Sequence, residues 1–490
     1  MRTKKGFAAD LNKNWLQKLK GAAIIIKIAQ ITKNAGRLCQ TFLPIKPGVK
    51  LMRNRRFLAL RAAMLAAITA CAFFLTACEL FNRLKNSSAV EPSSQSALSG
   101  ELTVFTLFGG DVAGAAEYRA LISDFITRNP DVKVTDLSQA YSETTPDDLA
   151  AMFAAGSEPD VLFYYTGKAA FFENTNGVVP ISEIREQYPS YAKDVLDLSL
   201  ESANRDSPAF FAVPVRGFYE GLFLNTDLFE KYELAQPNSW ETLVEAVSAF
   251  SGTGIVPIAA SLSETPHYLV DHLILSQGGL SEYKKKLAAK TGLPDSWNAA
   301  FERLTELYSL GAFGPNADTL TDSEATELFV KKKAAMRVDG SWLAARLLDE
   351  GLEGSTEVID FPTTPDGAKR AGQIIGGFTS GYYITRKGWD NIATRPAAAA
   401  LADILTTRGA VRSMCGAASM PSVRISPGEQ DPLLVQSARK LSESLVNLTM
   451  PLDARLDDNA WGAFTQGTLS VIRGDTEAKT LFETIYGPPQ

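Results

Sequence analysis

Aromatic and acidic side chains occur where two predicted strands end. Phe108 and Asp111 follow the first predicted strand, and Tyr164 and Tyr165 close a continuous apolar run at 160–165. In α/β folds, ligands bind in the crevice outside the carboxyl ends of parallel strands. Aromatic faces pack against the C–H surface of a sugar-like molecule, and carboxylates accept hydrogen bonds from its hydroxyls. We therefore expect these residues near a cleft, with one of the two tyrosines buried in the core.

The other reactive residue types do not form a recognisable catalytic or metal site. His267 and His272 are the only histidines, and a spacing of five does not place both on one helix face. The sequence contains no HExxH, GxSxG or P-loop motif. No metal, cofactor or catalytic residue is therefore expected. A carboxylate pair that cleaves glycosidic bonds has no spacing signature, so a secreted glycan hydrolase remains an alternative.

The elements that must position these side chains alternate between strand and helix patterns. Tyr118, Leu121, Ile122 and Phe125 recur at helical spacing after the first strand. Further helical patterns and strands alternate along the chain, with helices at 242–250, 299–310 and 397–407 and strands near 334–338, 357–361 and 382–385. This alternation predicts an α/β fold with mainly parallel sheets.

Composition and charge indicate a folded protein with an acidic body. The 490 residues are 45% hydrophobic and 21% charged, which is ordinary for globular domains. Residues 1–77 hold 15 Lys and Arg and one acid, so the rest holds 34 basic and 54 acidic residues, a net charge of −20. A body this acidic repels phosphate backbones, and nucleic acid is not an expected partner.

Residues 52–77 have the pattern of a secretory signal peptide. Four arginines between 53 and 61 precede an apolar run of 16 residues, too short to span a bilayer comfortably. The run ends in Leu-Thr-Ala-Cys at 75–78, which resembles the lipobox of bacterial lipoproteins. We therefore predict cleavage before Cys78 and lipidation of its thiol, with an uncleaved signal anchor as the alternative.

The segments that flank the signal peptide receive separate predictions. Residues 1–51 precede a complete signal peptide and are interpreted as a non-native N-terminal extension. Residues 78–100, rich in serine, are predicted to be a lipidated flexible tether. Cys415 is the one cysteine beyond Cys78, so no disulfide is expected.

Five sequence blocks, in order, resemble the family 1 extracellular solute-binding proteins of bacterial ABC importers. Segment 154–161, AAGSEPDV, is similar to the family pattern AxGxxPDV. The later blocks are GLFLNTDLF within 213–229, PNSWETL at 237–243, FVKKKAAM through DGSW at 329–342, and the segments at 376–384 and 418–422. The chain departs from the family pattern at Lys332, where Gly is usual, and at Leu224, where Tyr is usual. The resemblance covers about 101–487.

The resemblance implies a two-lobed, periplasmic-binding-protein-like α/β fold of type II, with the ligand in a cleft between the lobes. The implied boundaries are 101–213 plus 356–408 for the first lobe, 221–352 plus 409–490 for the second lobe, and 214–220 for a hinge. Hinge closure around a ligand shifts the population toward the closed form through differential affinity.

The resemblance also implies further ligand-binding candidates. Tyr219 is preferred at the hinge, although hinge packing would equally explain it. Trp342 and Trp461 match aromatic positions that the family often directs into the cleft. The remaining candidates are Asp339, which could instead cap the following helix, Phe378, and either His267 or Tyr268. A surface histidine with no ligand contact would explain His267 equally well.

The function implied is a membrane-anchored, extracytoplasmic receptor that captures a small solute and delivers it to an ABC permease. A carbohydrate is the expected ligand, and the expected partners are that ligand, the permease subunits and, through the lipid, the membrane. The chain is expected to be a monomer with no enzymatic activity. The alternatives are the glycan hydrolase and a surface scaffold that keeps the same fold.

Overall fold

The computed structural model describes residues 98–416 and 418–488. The N-terminal extension, the signal peptide, Cys78 and most of the tether lie outside the described residues, so those predictions remain predictions. Within the described part, every helix is too short or too polar to cross a bilayer.

The described strands form two sheets. The strands are β1 Gly100–Phe105, β2 Val132–Asp136, β3 Val161–Tyr165, β4 Arg216–Asn225, β5 Val256–Ile258, β6 Ala334–Gly340, β7 Thr356–Ile359, β8 Gln373–Gly377, β9 Ser380–Ile384, β10 Met420–Pro421 and β11 Asn447–Thr449. The smaller sheet has the order β2-β1-β3-β9, and the larger has the order β11-β8-β4-β6-β5, with β7 and β10 also paired to β4. We name the smaller sheet with its helices the first lobe, and the larger sheet with its helices the second lobe.

Seventeen α-helices of the described residues pack on these sheets. They are α1 Ala115–Arg128, α2 Thr145–Ala154, α3 Ala170–Glu173, α4 Ile181–Gln187, α5 Asp197–Ala203, α6 Thr226–Lys231, α7 Trp240–Phe250, α8 His267–Tyr283, α9 Asp295–Ser309, α10 Asp322–Val330, α11 Ser341–Asp349, α12 Arg386–Asp390, α13 Arg395–Leu405, α14 Arg408–Met414, α15 Leu433–Glu443, α16 Asp458–Ile472 and α17 Ala478–Tyr486. Helix α10 begins with a capping box in which Thr321 and Glu324 satisfy each other's backbone N–H groups.

The α/β class is confirmed, but the strand directions differ from the prediction. The pairs β1–β2, β1–β3, β5–β6 and β8–β11 are parallel. Strand β4, however, is antiparallel to all four of its neighbours, and β9 is antiparallel to β3. The larger sheet is therefore mixed, because its central strand enters from the first lobe and runs against the others.

The chain crosses between the two sheets at three closely spaced segments. Val213 bridges to Tyr382 of the smaller sheet, and β4 of the larger sheet begins three residues later. The chain returns between β8, which ends at Gly377, and β9, which begins at Ser380. It crosses again after α14, which packs on α1, and reaches β10 beside the start of β4.

The crossing strands approach each other closely where they leave the larger sheet. A Cβ on Gly217 would lie 2.4 Å from the carbonyl oxygen of Gly377. A glycine at position 217 therefore permits the strand contact at this point.

The lobe boundaries remain predictions, and strand pairing suggests one revision. Residues 356–408 were predicted to belong to the first lobe. Strands β7 and β8 pair with β4, however, and so lie in the larger sheet. We propose that the boundary lies between β8 and β9, and that the hinge predicted at 214–220 overlaps the start of β4.

Candidate ligand-binding cleft

Several strand ends of the second lobe meet at the edge of the sheet where the chain crosses to the first lobe. Strands β5 and β6 are parallel, and β4 runs against β6, so the start of β4 lies beside the end of β6. Strand β6 leads directly into Trp342, and β5 leads through a short loop into His267 and Tyr268 at the start of α8. Phe218 is the third residue of β4. The topology thus gathers four ring-bearing residues at one edge.

These residues form an aromatic cluster, which we define as Phe218, His267, Tyr268, Trp342 and Trp461. The ring centroids of Trp342 lie 6.0 Å from Phe218 and 6.1 Å from Tyr268. His267 lies 4.1 Å from Tyr268 and 4.9 Å from Trp461. Trp342 is 47% exposed, which is unusual for so large an apolar side chain. The cluster therefore offers an open indole face supported by neighbouring rings.

Buried charges lie directly beside the aromatic cluster. Arg337 of β6 is 1% exposed, and its Nε donates to Asp339 Oδ2 at 2.5 Å. Its Nη2 donates to Asp322 Oδ1 at 2.7 Å. Burial raises the pKa of Asp339, and the positive charge of Arg337 opposes this rise. One guanidinium thus joins two carboxylates from different elements.

A second buried polar group lies beneath the start of β4. Glu220 and His272 are both buried, with Oε2 and Nε2 3.7 Å apart. Burial raises the pKa of Glu220 and lowers that of His272, because a buried site disfavours the charged form of each group. Asp271, next to His272, accepts hydrogen bonds from the Tyr283 hydroxyl and the Leu452 N–H. Among the described residues, no group of acidic, histidine and cysteine side chains could hold a metal ion.

The first lobe presents a smaller and more exposed set. Tyr165 ends β3, and its ring lies 5.3 Å from that of Tyr141 in an edge-on arrangement. Lys168 donates to Tyr141 Oη at 2.5 Å, with its ammonium 4.8 Å from the ring centre. Tyr141 is 37% exposed.

Both sets adjoin the same chain crossing. The N–H of Thr166, next to Tyr165, donates to the carbonyl of Thr379 at 2.9 Å. On the other side, Phe218 pairs with Gly377. Because residues 377 and 379 are two peptide units apart, their Cα atoms lie within about 8 Å of each other. The two sets therefore lie close to the same crossing, and we take the region beside it as the candidate cleft.

The structure leaves four of the ten predicted ligand-binding residues accessible. Asp111 is exposed, Trp342 is about half exposed, and Tyr165 and Trp461 are partly exposed. Six are buried: Phe108, Tyr164, Tyr219, His267, Asp339 and Phe378. Of the two tyrosines that end β3, Tyr164 is therefore the core residue.

The buried candidates have specific packing roles. Phe108 lies 4.8 Å from Phe163 and 4.9 Å below the Arg216 guanidinium, so its ring is enclosed where an exposed ring was expected. Asp339 was expected to bind ligand hydroxyls or to cap α11. Instead, its oxygens accept from Arg337 and from the N–H of Gly340.

Three residues at or beside the candidate cleft, Phe218, Tyr141 and Arg337, were not among the predicted site residues. Phe218 was passed over for Tyr219, although alternation along a strand puts these neighbours on opposite faces. Tyr141 lies in the loop after β2, at the same end of the parallel strands as Tyr165, and this position was a usable signal. Arg337 carried no signal, because an arginine inside an apolar strand gives no indication of its partners.

Two larger cavities of the described residues lie away from the aromatic cluster. One of about 910 Å³ lies between α8 and α9, and one of about 370 Å³ lies between α5 and the ends of β8 and β11. Neither is lined by an aromatic side chain. They lack the exposed aromatic side chains of the aromatic cluster, which therefore remains the candidate site.

Comparison with known proteins identifies the family. The sequence matches the family model described as bacterial extracellular solute-binding protein over residues 109–411. The chain belongs to this family. A comparison with curated proteins gives no significant match. The family binds small solutes, and its extracellular setting agrees with the predicted export.

Solved structures of solute-binding proteins share the fold. A probable secreted solute-binding lipoprotein from Streptomyces coelicolor is 20% identical, with a TM-score of 0.68, covering 79% of this chain and 98% of its own. The bacterial solute receptor AcbH, with an exclusive preference for β-D-galactopyranose, is 17% identical, with a TM-score of 0.62, covering 79% of this chain and 96% of its own. The GacH receptor of Streptomyces glaucescens, solved with acarbose, is 17% identical, with a TM-score of 0.53, covering 79% of this chain and 97% of its own. The two-lobed fold expected from the sequence is thereby confirmed.

Proposed function

We propose that this family member is a lipid-anchored receptor that captures a carbohydrate between its lobes and delivers it to an ABC permease. The observation that carries the proposal is the half-exposed face of Trp342, flanked by Phe218 and Tyr268 at the edge where the chain crosses between lobes. An exposed aromatic surface on an otherwise polar protein face is typical of an interaction or ligand site.

The chemistry of the cleft suits a sugar. The axial C–H groups of a pyranose present an apolar face that would stack on Trp342, while its hydroxyls need polar partners at the rim. The first lobe offers such partners in Tyr141 and Asp111. The preference of AcbH for β-D-galactopyranose and the binding of acarbose by GacH support this ligand class.

Closure of the lobes would complete the site. The three crossings are short, and two of them run side by side: β4 pairs with β8 in the larger sheet, and Val213 bridges to Tyr382 in the smaller sheet. Rotation about these segments would bring Tyr165 and Tyr141 toward Trp342. A ligand that contacts both sets binds the closed form more tightly and so shifts the population toward it. The permease would then recognise the closed form.

A thermal-shift panel tests the proposed ligand class. The panel contains β-D-galactopyranose, xylo- and chito-oligosaccharides and acarbose, with amino acids, polyamines and phosphate esters as the contrasting classes. A ligand at 100 times its Kd adds about 2.7 kcal/mol to the free energy of unfolding. We expect a shift with at least one sugar and recovery of that sugar chemically intact by mass spectrometry.

The other outcomes of the panel separate the alternatives. Conversion of a sugar to product would contradict a receptor role and support the glycan hydrolase. A shift with a non-sugar would retain the receptor and overturn the carbohydrate assignment. The absence of any shift would favour a scaffold role.

Membrane attachment is tested separately at Cys78. We expect the full chain to sediment with membranes and to incorporate labelled palmitate, and Cys78→Ser to lose both properties. Cys415→Ser is the matched control, because Cys415 is buried in the folded part and is remote from the predicted lipobox. Equal labelling of the Cys78→Ser variant would overturn the anchor and leave the ligand proposal intact.

A further inference from the structure

Arg337 occupies an unusual position for an arginine. It lies in β6, where every residue is buried, and its side chain is 1% exposed. A buried guanidinium is costly unless several hydrogen bonds satisfy it. Arg337 satisfies this requirement with two carboxylates, Asp339 and Asp322, and with a longer contact to the carbonyl of Ala259 at 3.5 Å.

Asp339 connects Arg337 to the backbone segment that leads into Trp342. Asp339 accepts from Arg337 through Oδ2 and from the N–H of Gly340 through Oδ1 at 2.7 Å. These bonds hold the carboxylate against the turn at which β6 becomes α11. Trp342 is the second residue of α11. The hydrogen bond from the N–H of Gly340 to Asp339 therefore restrains the backbone two residues before Trp342.

Asp322 connects Arg337 to the loop that leads into Tyr268. Asp322 Oδ1 accepts from Arg337 Nη2 and also from the hydroxyl of Thr265 at 2.7 Å. The N–H of Asp322 donates to Glu264 Oε2 at 2.8 Å. Thr265 and Glu264 lie in the loop just before α8, and Tyr268 is the second residue of that helix.

We infer that Arg337 is a positioning residue for the candidate cleft, which sets the spacing of Trp342 and Tyr268 without touching the ligand. The guanidinium bonds Asp339, which precedes Trp342, and Asp322, which in turn bonds Thr265 before Tyr268. It therefore connects the segments that lead to the two rings, whose centroids lie 6.1 Å apart. Groups that hold a binding surface in place reduce the ordering cost of binding. The inference rests on the proposed function only in assigning ligand contact to the aromatic cluster.

The role requires a guanidinium and not simply a positive charge. Arg337 reaches Asp339 with Nε and Asp322 with Nη2, two donors separated by the width of the planar group. A lysine ammonium is a compact point charge and cannot hold both carboxylates in this spread geometry. Arg337→Lys therefore keeps the charge and releases one of the two segments.

Quenching of Trp342 fluorescence by acrylamide tests the inference without a ligand. The measurement uses the full chain in mild detergent, and the Trp342 signal is isolated by subtracting the spectrum of Trp342→Phe. We expect Arg337→Lys to raise the quenching constant of Trp342 about twofold. Arg439→Lys is the matched control, because Arg439 of α15 makes a partly buried ion pair with Asp431, which precedes that helix, and both lie outside the network. This control should leave Trp342 quenching unchanged even where it lowers the melting temperature.

Thr265→Val supplies a second, milder variant that removes only the hydroxyl donated to Asp322. We expect a smaller rise in Trp342 quenching, and this variant keeps the test decisive if Arg337→Lys does not fold. Unchanged quenching in every folded network variant would overturn the inference. An equal rise in Arg439→Lys would also overturn it, because the effect would then follow general loosening.

Titration with β-D-galactopyranose and acarbose supplies the binding readout. We expect Arg337→Lys to weaken the Kd of whichever probe binds about tenfold, Thr265→Val about threefold, and Arg439→Lys not at all. An unchanged Kd in both network variants would overturn the inference. Failure of both probes to bind the unaltered chain would count against the proposed function alone, since quenching still decides the role of Arg337.

Discussion

The two lobes present their sides of the candidate cleft in different ways. In the second lobe, Trp342 and Tyr268 each lie at the start of a helix. The segments before these helices are connected through buried Arg337 and the carboxylates of Asp339 and Asp322. In the first lobe, Tyr141 and Lys168 are exposed and are held mainly by contacts with each other. The surface of the second lobe is held by buried ion pairs, and the surface of the first lobe is held by contacts between exposed side chains.

The difference indicates a division of labour in binding. A surface whose side chains are already held in place loses little conformational entropy when a ligand binds. Exposed side chains with few buried contacts are more mobile, and they can adjust to the ligand as the lobes close. We therefore expect the second lobe to provide most of the affinity and the first lobe to adapt to the ligand.

The largest predicted effect concerns the buried acids of the second lobe. Burial raises the pKa of Asp271 to about 8, well above its value in an unfolded chain. The folded state therefore holds a proton that the unfolded state lacks between about pH 4 and 8. The contribution of Asp271 to the free energy of unfolding is full below about pH 4. It falls by about 1.4 kcal/mol per pH unit as the pH rises from about 4 to 8, and it is lost above pH 8.

His267 acts in the opposite direction within part of this range. Burial lowers its pKa to about 4, so its stabilisation is present above about pH 6.5 and is lost as the pH falls toward 4. Asp271→Asn mimics the protonated acid and removes only the first response. Relative to the unaltered chain, we expect the variant to become more stable by about 1.4 kcal/mol per pH unit between 5 and 8, measured by urea unfolding.

The matched substitution in the first lobe is Asp403→Asn. Asp403 is only partly buried, and burial raises its pKa while the N–H of Ala192 opposes the rise. Its pH response should be clearly smaller. Equal responses for the two variants would remove the contrast in buried charge on which the comparison rests.

Trp342→Ala is the next largest effect and acts on affinity. Removing the half-exposed ring deletes the stacking face, and truncation of a central aromatic contact costs about 2 kcal/mol. The Kd of a bound sugar should therefore rise about thirtyfold in calorimetry. Phe210→Ala is the control, because Phe210 is 42% exposed and lies outside the aromatic cluster. A similar loss in the control, or none in Trp342→Ala, would place the site elsewhere.

Much of the fold could be predicted from sequence because its signals are local. The apolar run at 160–165 became the buried strand β3, and the helical spacing of Tyr118 and Phe125 became α1. Strand direction was predicted less well. Strand β4 runs antiparallel to its neighbours because the chain enters the larger sheet from the first lobe at this strand. Nothing within the sequence of β4 records which way its neighbours run.

The cleft could be predicted only in part, because exposure depends on long-range packing. Trp342 follows a predicted strand and a glycine, and in the structure it is the second residue after β6 and is about half exposed. Phe108 also follows a strand, but its ring is covered by Arg216, which is distant in sequence. The network around Arg337 joins residues from three separate elements, so no spacing within one segment reveals it.

A smaller effect is expected from the first lobe at Tyr165. Tyr165→Ala removes a partly exposed ring that contacts Tyr141, and we expect a cost of about 1 kcal/mol. The Kd of a bound sugar should then rise about fivefold, less than in Trp342→Ala. Tyr165→Phe keeps the ring and separates stacking from hydrogen bonding by the hydroxyl. A loss as large as that of Trp342→Ala would show that both lobes contribute equally.

The smallest predicted effect is that of Lys168→Met, which keeps the length of the side chain and removes its charge. Exposed cation–π and hydrogen-bonded pairs contribute about 0.5 kcal/mol, because water competes for the ammonium. We expect the Kd of a bound sugar to change less than threefold, with weak dependence on salt. A change above tenfold would mean that Lys168 donates directly to the ligand in the closed form. The first lobe would then select the ligand by charge, and the aromatic cluster would only support it.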